Sequence, residues 1–130
     1  MWRKIIASLL GVAGVADASA QGYAAGTTAA ERAQLPKYCW PQYIDAKVAA
    51  QPGYAIPSNC GEYMNHLCPG MIFLIRAQKL GDPPYVRKQN AAHALVDFKY
   101  TMQYMTPECS LRAEVEAAML RAKSIAPDAK

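Results

Sequence analysis

The cysteines constrain the fold of this chain more than any other feature of its sequence. The 130 residues include four of them, Cys39, Cys60, Cys68 and Cys109. A domain of this size builds a modest hydrophobic core, and small exported domains compensate with disulfide bonds. The even number of cysteines therefore predicts two disulfide bonds, provided that the chain reaches an oxidising compartment.

The N-terminus predicts export. Residues 1–4 are MWRK, an apolar run of about a dozen residues follows, and Ala18-Ser19-Ala20 has the small-x-small form of a cleavage site. The run is shorter than the roughly 20 apolar residues that cross a bilayer. We expect a signal peptide over 1–20 and a periplasmic or secreted mature chain without a stable membrane span. Retention of the segment as an N-terminal anchor is the alternative.

The rest of the chain has the size of one domain. We expect a loosely ordered segment over 21–36, a single helical domain over 37–126 and a tail over 127–130. Without Arg3, Lys4 and Asp17, the chain carries 12 basic and 9 acidic residues. The basic residues are scattered and form no stripe, so nucleic acid is not the expected partner.

Capping residues and helical periodicity predict an all-α fold. Thr28 and Glu31 have the spacing of a capping box, which predicts a short helix over 29–34, and Pro41 suits the start of a second short helix. A long central helix is predicted from Asn59 to about residue 80, with Pro69 inside it as the cause of a kink.

Two more helices are predicted after the central one. Asp82 is the expected cap of the first, with Pro83 at its first position. An apolar line along the last helix points inward and is formed by Leu111, Val115, Met119, Ala122 and Ile125. The sequence thus predicts a small disulfide-stapled domain, in which an antiparallel hairpin is joined by a third, C-terminal helix.

Small and large residues alternate along this predicted hairpin in a specific order. They are Gly70 and Phe73 in the first helix, with Ala94, Phe98, Thr101 and then Pro107 in and after the second. The order resembles that of a tetratricopeptide-repeat hairpin, over residues 60–107 and as a single unit. The resemblance implies closely packed helices and a protein-binding role, and it implies no catalytic residue.

Helix geometry narrows the disulfide pairing. In an unbroken helix, eight residues separate Cys60 from Cys68 by about 12 Å, and a disulfide needs less than about 7 Å. Two connectivities remain: Cys39–Cys68 with Cys60–Cys109, or Cys39–Cys60 with Cys68–Cys109. In an up-down-up arrangement the first and third helices start at the same end, which favours Cys60–Cys109 with Cys39–Cys68.

The central segment also contains potential copper ligands, since Met64, His66, Cys68 and Met71 offer soft or borderline donors. Residues two apart on a helix do not face each other, so His66 would point away from Cys68. Methionine at such positions usually fills a core. We therefore expect no metal and no cofactor, and copper binding is kept as an alternative.

An enzyme is not expected. His93 and Asp97 lie four apart and could form the orienting half of a catalytic pair, but no serine or cysteine nucleophile accompanies them. A hydrogen bond between them on the helix surface is the expected arrangement. The sequence also has no C-x-x-C redox motif.

Aromatic residues mark the candidate binding surface, because tyrosine and tryptophan are enriched where proteins bind. The candidates are Tyr38, Trp40, Tyr43, Tyr54, His93, Tyr100 and Tyr104. We therefore predict a non-enzymatic interaction or accessory module of the cell envelope that binds another envelope or secreted protein. The alternatives are an immunity protein or inhibitor of a secreted enzyme, and a periplasmic copper-binding protein.

Overall fold

The computed structural model describes residues 26–130, so the predicted signal peptide lies outside the described residues. Within residues 26–130, five α-helices follow one another in chain order: α1 (Ala29–Ala33), α2 (Trp40–Tyr43), α3 (Leu67–Ala77), α4 (Pro84–Tyr104) and α5 (Arg112–Ile125). Short 3-10 helices occupy Lys37–Cys39, Ala46–Ala50 and Ser58–Cys60. Residues 26–130 contain no β-strand. The all-α prediction is confirmed.

Helices α3 and α4 form an antiparallel hairpin. Near the connecting loop, Nε of Arg87 donates a hydrogen bond to the carbonyl oxygen of Ala77 at 2.8 Å. At the opposite end, Nδ1 of His66 lies 2.6 Å from Oδ1 of Asp97. Contacts at both ends fix the register of the two helices.

The hairpin helices cross closely at Gly70. A Cβ atom at this position would lie 2.8 Å from Cε1 of Phe98 and 3.1 Å from Cβ of Asp97. Ala94, Phe98 and Thr101 are fully buried in α4. Phe98 therefore packs on Gly70 at the crossing, and Ala94 and Thr101 are buried on the same helix as Phe98.

Helix α5 completes the core. Val115, Ala118 and Ala122 are buried and face the hairpin, while Leu111 and Met119 are partly buried beside them. The predicted inward face of the last helix is correct in direction. Its most buried members are small residues, which allow α5 to approach the hairpin closely.

The central helix is shorter than predicted. Cys60 ends a 3-10 turn, and Gly61 follows at φ +90°, a left-handed conformation that stops the helix and favours glycine. Helix α3 begins only at Leu67 and ends at Ala77. Pro69 is its third residue. The predicted kink is wrong because a helix leaves its first four N–H groups unpaired, so proline interrupts no hydrogen bond there.

The predicted start of α4 is also wrong by one residue. The helix begins at Pro84, its N-cap is Pro83 and no side chain caps it. Pro83 has φ −57° and ψ 147°, because a residue that precedes proline is excluded from the helical region. Asp82 instead lies 3.5 Å from Nζ of Lys79.

Both disulfides join the pairs that the sequence favoured. Cys39 is bonded to Cys68, with their Cα atoms 5.6 Å apart, and Cys60 is bonded to Cys109 at 4.1 Å. The premise that Cys60 and Cys68 lie in one unbroken helix is wrong, because residues 61–66 are not helical. The conclusion stands because Cys109 lies in the turn just before α5, at the same end of the domain as the start of α3.

The N-terminal part of the described chain is held against α3. Thr28 and Glu31 form the predicted capping box at the start of α1. Glu31 Oε1 accepts a hydrogen bond from Nε of Arg76 at 3.0 Å, and Arg76 also donates to the carbonyl oxygen of Gly26 at 2.7 Å. Leu35 is buried. Gly26 and Glu31 therefore bind α3 through Arg76, and Leu35 belongs to the core.

Candidate protein-binding surface

Six aromatic rings line one side of the α3–α4 hairpin. They are the side chains of Tyr63, Tyr104, Tyr100, His66, Phe73 and His93, and we call them the aromatic strip. Three of these rings belong to α4. Together with Asp97 they recur every three or four residues, at His93, Asp97, Tyr100 and Tyr104. That spacing places them on one face of the helix.

Four rings of the strip contact one another in sequence. The centroid of Tyr63 lies 5.5 Å from that of Tyr104, and Tyr104 lies 4.6 Å from Tyr100. Tyr100 lies 4.0 Å from the ring of His66. Tilted ring pairs at these distances stabilise each other beyond simple burial. The rings are therefore held in a defined arrangement.

Asp97 lies between His93 and Tyr100 on α4 and binds a histidine of the strip. Its carboxylate binds Nδ1 of His66 at 2.6 Å, and the imidazole side chain is 39% exposed. One turn earlier, His93 stacks on Phe73 with a centroid distance of 5.0 Å. The predicted His93–Asp97 hydrogen bond is thus wrong. The His93 ring lies on Phe73, and the carboxylate is bound by a histidine from across the hairpin.

The tyrosines of the strip are available to a partner. Tyr63 is 56% exposed and Tyr104 is 44% exposed, while Tyr100 is half-buried. Within residues 26–130, none of their three hydroxyl groups makes a hydrogen bond. An exposed apolar ring with an unpaired hydroxyl can supply both contact area and a directional hydrogen bond.

Tyr63 was not among the sequence candidates for this surface. It falls inside the long central helix that the sequence predicts from Asn59 to about residue 80. It lies instead in the irregular segment before α3 and reaches Tyr104 at the end of α4. A helix predicted to start after Gly61 and beyond Tyr63 would leave Tyr63 among the candidate surface residues.

The N-terminal aromatic candidates are mostly packing residues. Tyr43 is only 5% exposed, so the structure excludes it from the surface. Trp40 donates its indole N–H to the carbonyl oxygen of Leu35 at 3.1 Å and meets Tyr54 edge-on at 5.4 Å. Tyr38 donates its hydroxyl to Oε1 of Glu114 at 2.7 Å. Burial and this carboxylate raise the pKa of Tyr38 above its ordinary value.

The potential copper ligands are not arranged as a site. Met64 and Met71 are buried in the hydrophobic core. Cys68 is in a disulfide and His66 binds Asp97. Within residues 26–130, no group of three histidine, cysteine or acidic side chains is placed to hold a metal ion.

Comparisons with protein-family models, with curated proteins and with solved structures find no match to this chain. Among residues 26–130, no helix has both the length and the apolar character that a bilayer span requires.

Proposed function

We propose that this chain is an exported, non-enzymatic interaction module of the cell envelope that binds another envelope or secreted protein through the aromatic strip. The observation that carries the proposal is the pair of exposed tyrosines, Tyr63 and Tyr104, in mutual contact with unpaired hydroxyls. Tyrosine loses little conformational entropy on binding and is frequent among residues that dominate interfaces.

The rigidity of the scaffold supports this role. The strip lies across α3 and α4, whose close contact at Gly70 leaves little room for relative movement. Both ends of α3 are also anchored, by the Cys39–Cys68 disulfide and by the Arg76–Glu31 ion pair. A surface that is ordered before binding loses less entropy when a partner arrives.

The two disulfides are compatible with an oxidising, extracytoplasmic location. The resemblance of the hairpin to a tetratricopeptide repeat supports protein binding, with the disulfides in place of the neighbouring repeats. A copper-binding role is not proposed, because the thioethers of Met64 and Met71 lie in the core.

Site-specific photo-crosslinking in the native host tests the proposal. A photoreactive residue at position 63 is expected to capture one defined protein, and the same residue at position 85 provides the control. Tyr85 is 72% exposed and lies outside the strip. The captured protein is then purified and its affinity measured against Tyr63→Ala, Tyr104→Ala and Tyr85→Ala.

We expect the two strip variants to weaken binding at least tenfold and Tyr85→Ala to bind as the unmodified chain does. Tyr63→Ala and Tyr104→Ala also remove ring contacts within the strip, so the melting temperature of each variant is measured and binding is compared where all three are folded. Capture from both positions alike, or equal binding by all variants, would overturn the proposal.

A further inference from the structure

The outward face of α5 has the pattern of a helix-pairing seam. Val115, Ala118 and Ala122 face the core. The opposite side carries the exposed residues Ala113, Ala117, Leu120 and Ser124. Their spacing of four, three and four residues is that of the a and d positions of a coiled coil. Leu120 is 73% exposed, so a large apolar side chain lies at the middle of this seam without cover.

Charged residues flank the seam in a self-complementary order. Glu116 and Lys123 lie on one flank, and Glu114 and Arg121 lie on the other, at the positions that make contacts between paired helices. On each flank, the acidic residue comes first and the basic residue follows seven positions later. Neither acidic residue lies three or four positions from either basic residue, which is the spacing that ion pairs within one helix need.

We infer that α5 binds α5 of a second copy of this chain, antiparallel and about a two-fold axis near residues 118 and 119. In such a pair each flank meets the same flank of the other helix. Glu116 then faces Lys123 of the second copy, and Glu114 faces Arg121. Symmetry doubles both contacts, which gives four ion pairs in total.

The apolar residues of the seam fit the same arrangement. The two-fold axis places Leu120 opposite Ala117 of the second copy, so a large side chain fills the space above a small one. A parallel pair would instead place Leu120 on Leu120 and Ala117 on Ala117. It would also pair only Glu116 with Arg121. Packing and charge therefore both favour the antiparallel orientation.

A groove beside the seam extends the apolar surface. It has a volume of about 420 Å³ and is lined by Leu95, Lys99, Glu116, Met119, Leu120 and Lys123. Leu120 belongs to both the groove and the seam. The second helix would therefore cover the edge of this groove as well.

The four charged side chains can still bind a second copy in addition to the contacts that they already make. Glu114 accepts from Tyr38 through Oε1, and Lys123 donates one hydrogen bond to the carbonyl oxygen of Ala129. A carboxylate accepts several hydrogen bonds and an ammonium group donates three. Glu116 and Arg121 form no ion pair within residues 26–130.

The length of α5 sets the strength of the dimer. Its 14 residues extend over roughly 21 Å, and one helix pair of this length buries less than the roughly 800 Å² per partner of a standard stable interface. The dimer is therefore reversible and depends on concentration.

The dimer leaves the aromatic strip free, because Leu95, which lines the groove, and Tyr100, which belongs to the strip, lie about 140° apart around α4.

Sedimentation measured over a range of concentrations tests the inference on the mature chain. We expect a monomer–dimer equilibrium that Leu120→Glu abolishes. Leu80→Glu provides the matched control, because Leu80 is 83% exposed and lies far from α5 in the chain. Both substitutions are on the surface, so circular dichroism and melting temperature should stay unchanged at concentrations where the chain is monomeric.

Charge reversal provides the decisive experiment. Glu116→Lys alone and Lys123→Glu alone should each weaken self-association at least fivefold, because each places like charges in contact twice. An equimolar mixture of the two variants should associate again, since every Glu116–Lys123 contact of the mixed dimer is attractive. A chain that remains monomeric up to its solubility limit, or a mixture that does not associate, would overturn the inference.

Discussion

The ring of Phe98 packs directly on the backbone of Gly70, so that a Cβ atom at position 70 would lie 2.8 Å from Cε1 of the ring. The contact sets the distance between α3 and α4. The rings of the aromatic strip come from both helices and from the segment before α3. A change in the separation of the helices would therefore move Tyr100 relative to His66, and His93 relative to Phe73.

Gly70→Ala should lower the free energy of unfolding by about 1–3 kcal/mol, the usual cost of overpacking a core. The added methyl group forces Phe98 or the helix itself to shift. Gly81→Ala is the matched control, because nothing lies within 4 Å of a Cβ at that position. Urea denaturation measures both variants, and equal stability of the two would contradict this account of the crossing.

The resemblance of the hairpin to a tetratricopeptide repeat implies a small residue at the helix crossing, and Gly70 lies where α3 and α4 approach closely. Gly70 precedes Phe73 by three positions, and Ala94 precedes Phe98 by four. Phe98 packs on Gly70, whereas Phe73 is only partly buried and stacks on His93 in the aromatic strip. The start of α3 could not be predicted in the same way, because Asn59 fits the capping rule, whereas the actual N-cap, His66, makes no side-chain capping hydrogen bond. The left-handed φ of Gly61 decides against that start.

A double-mutant cycle between His66 and Asp97 should measure a coupling energy of about 0.5–1 kcal/mol, as expected for a partly exposed hydrogen-bonded pair. The variants are His66→Gln, Asp97→Asn and their combination, compared by chemical denaturation at neutral pH. The control cycle uses His93→Gln with Asp97→Asn. Its effects should be additive, since the structure places His93 on Phe73 instead.

The partner of Asp97 could not be predicted from spacing within one helix. The rule for residues four apart in a helix identified His93 as the partner. The partner is His66, 31 residues earlier in the chain. It competes successfully because the crossing at Gly70 brings the segment before α3 onto α4. The strip thus depends on a tertiary contact, which the helical periodicity of the sequence does not predict.

Acid should weaken the attachment of α1. The guanidinium of Arg76 binds the Glu31 carboxylate and lowers its pKa below the ordinary value of 4.5. A carboxyl group whose pKa is lower in the folded state contributes stability above its unfolded pKa, and this contribution is lost as the pH falls through the folded value. The loss therefore occurs below about pH 4.5.

Glu31→Gln tests this expectation because it removes the titrating group. The free energy of unfolding of the unmodified chain should fall more steeply below pH 4.5 than that of the variant. Glu62→Gln, at an exposed position, serves as the comparison and should follow the unmodified chain. Parallel curves for the unmodified chain and Glu31→Gln would show that the ion pair contributes nothing.

The Cys60–Cys109 disulfide should contribute about 2–5 kcal/mol to the free energy of unfolding, as native bridges in small exported domains do. It closes a loop of 49 residues and therefore restricts the unfolded chain. The backbone N–H of Thr106 also donates to the carbonyl oxygen of Cys60 at 3.3 Å, and Asn59 Nδ2 donates to that of Glu108 at 3.0 Å. These bonds hold the same two segments together in the folded state.

Three variants test this contribution: Cys60→Ser, Cys109→Ser and the double variant. All three should lose the same stability, because either substitution removes the whole bridge. Titration of the unmodified chain under denaturing conditions should find no free thiol, and each single variant should release one. Additive losses in the double variant would show that the two side chains act separately. An unchanged free energy of unfolding would show that the hydrogen bonds alone hold residues 59–61 against residues 106–109.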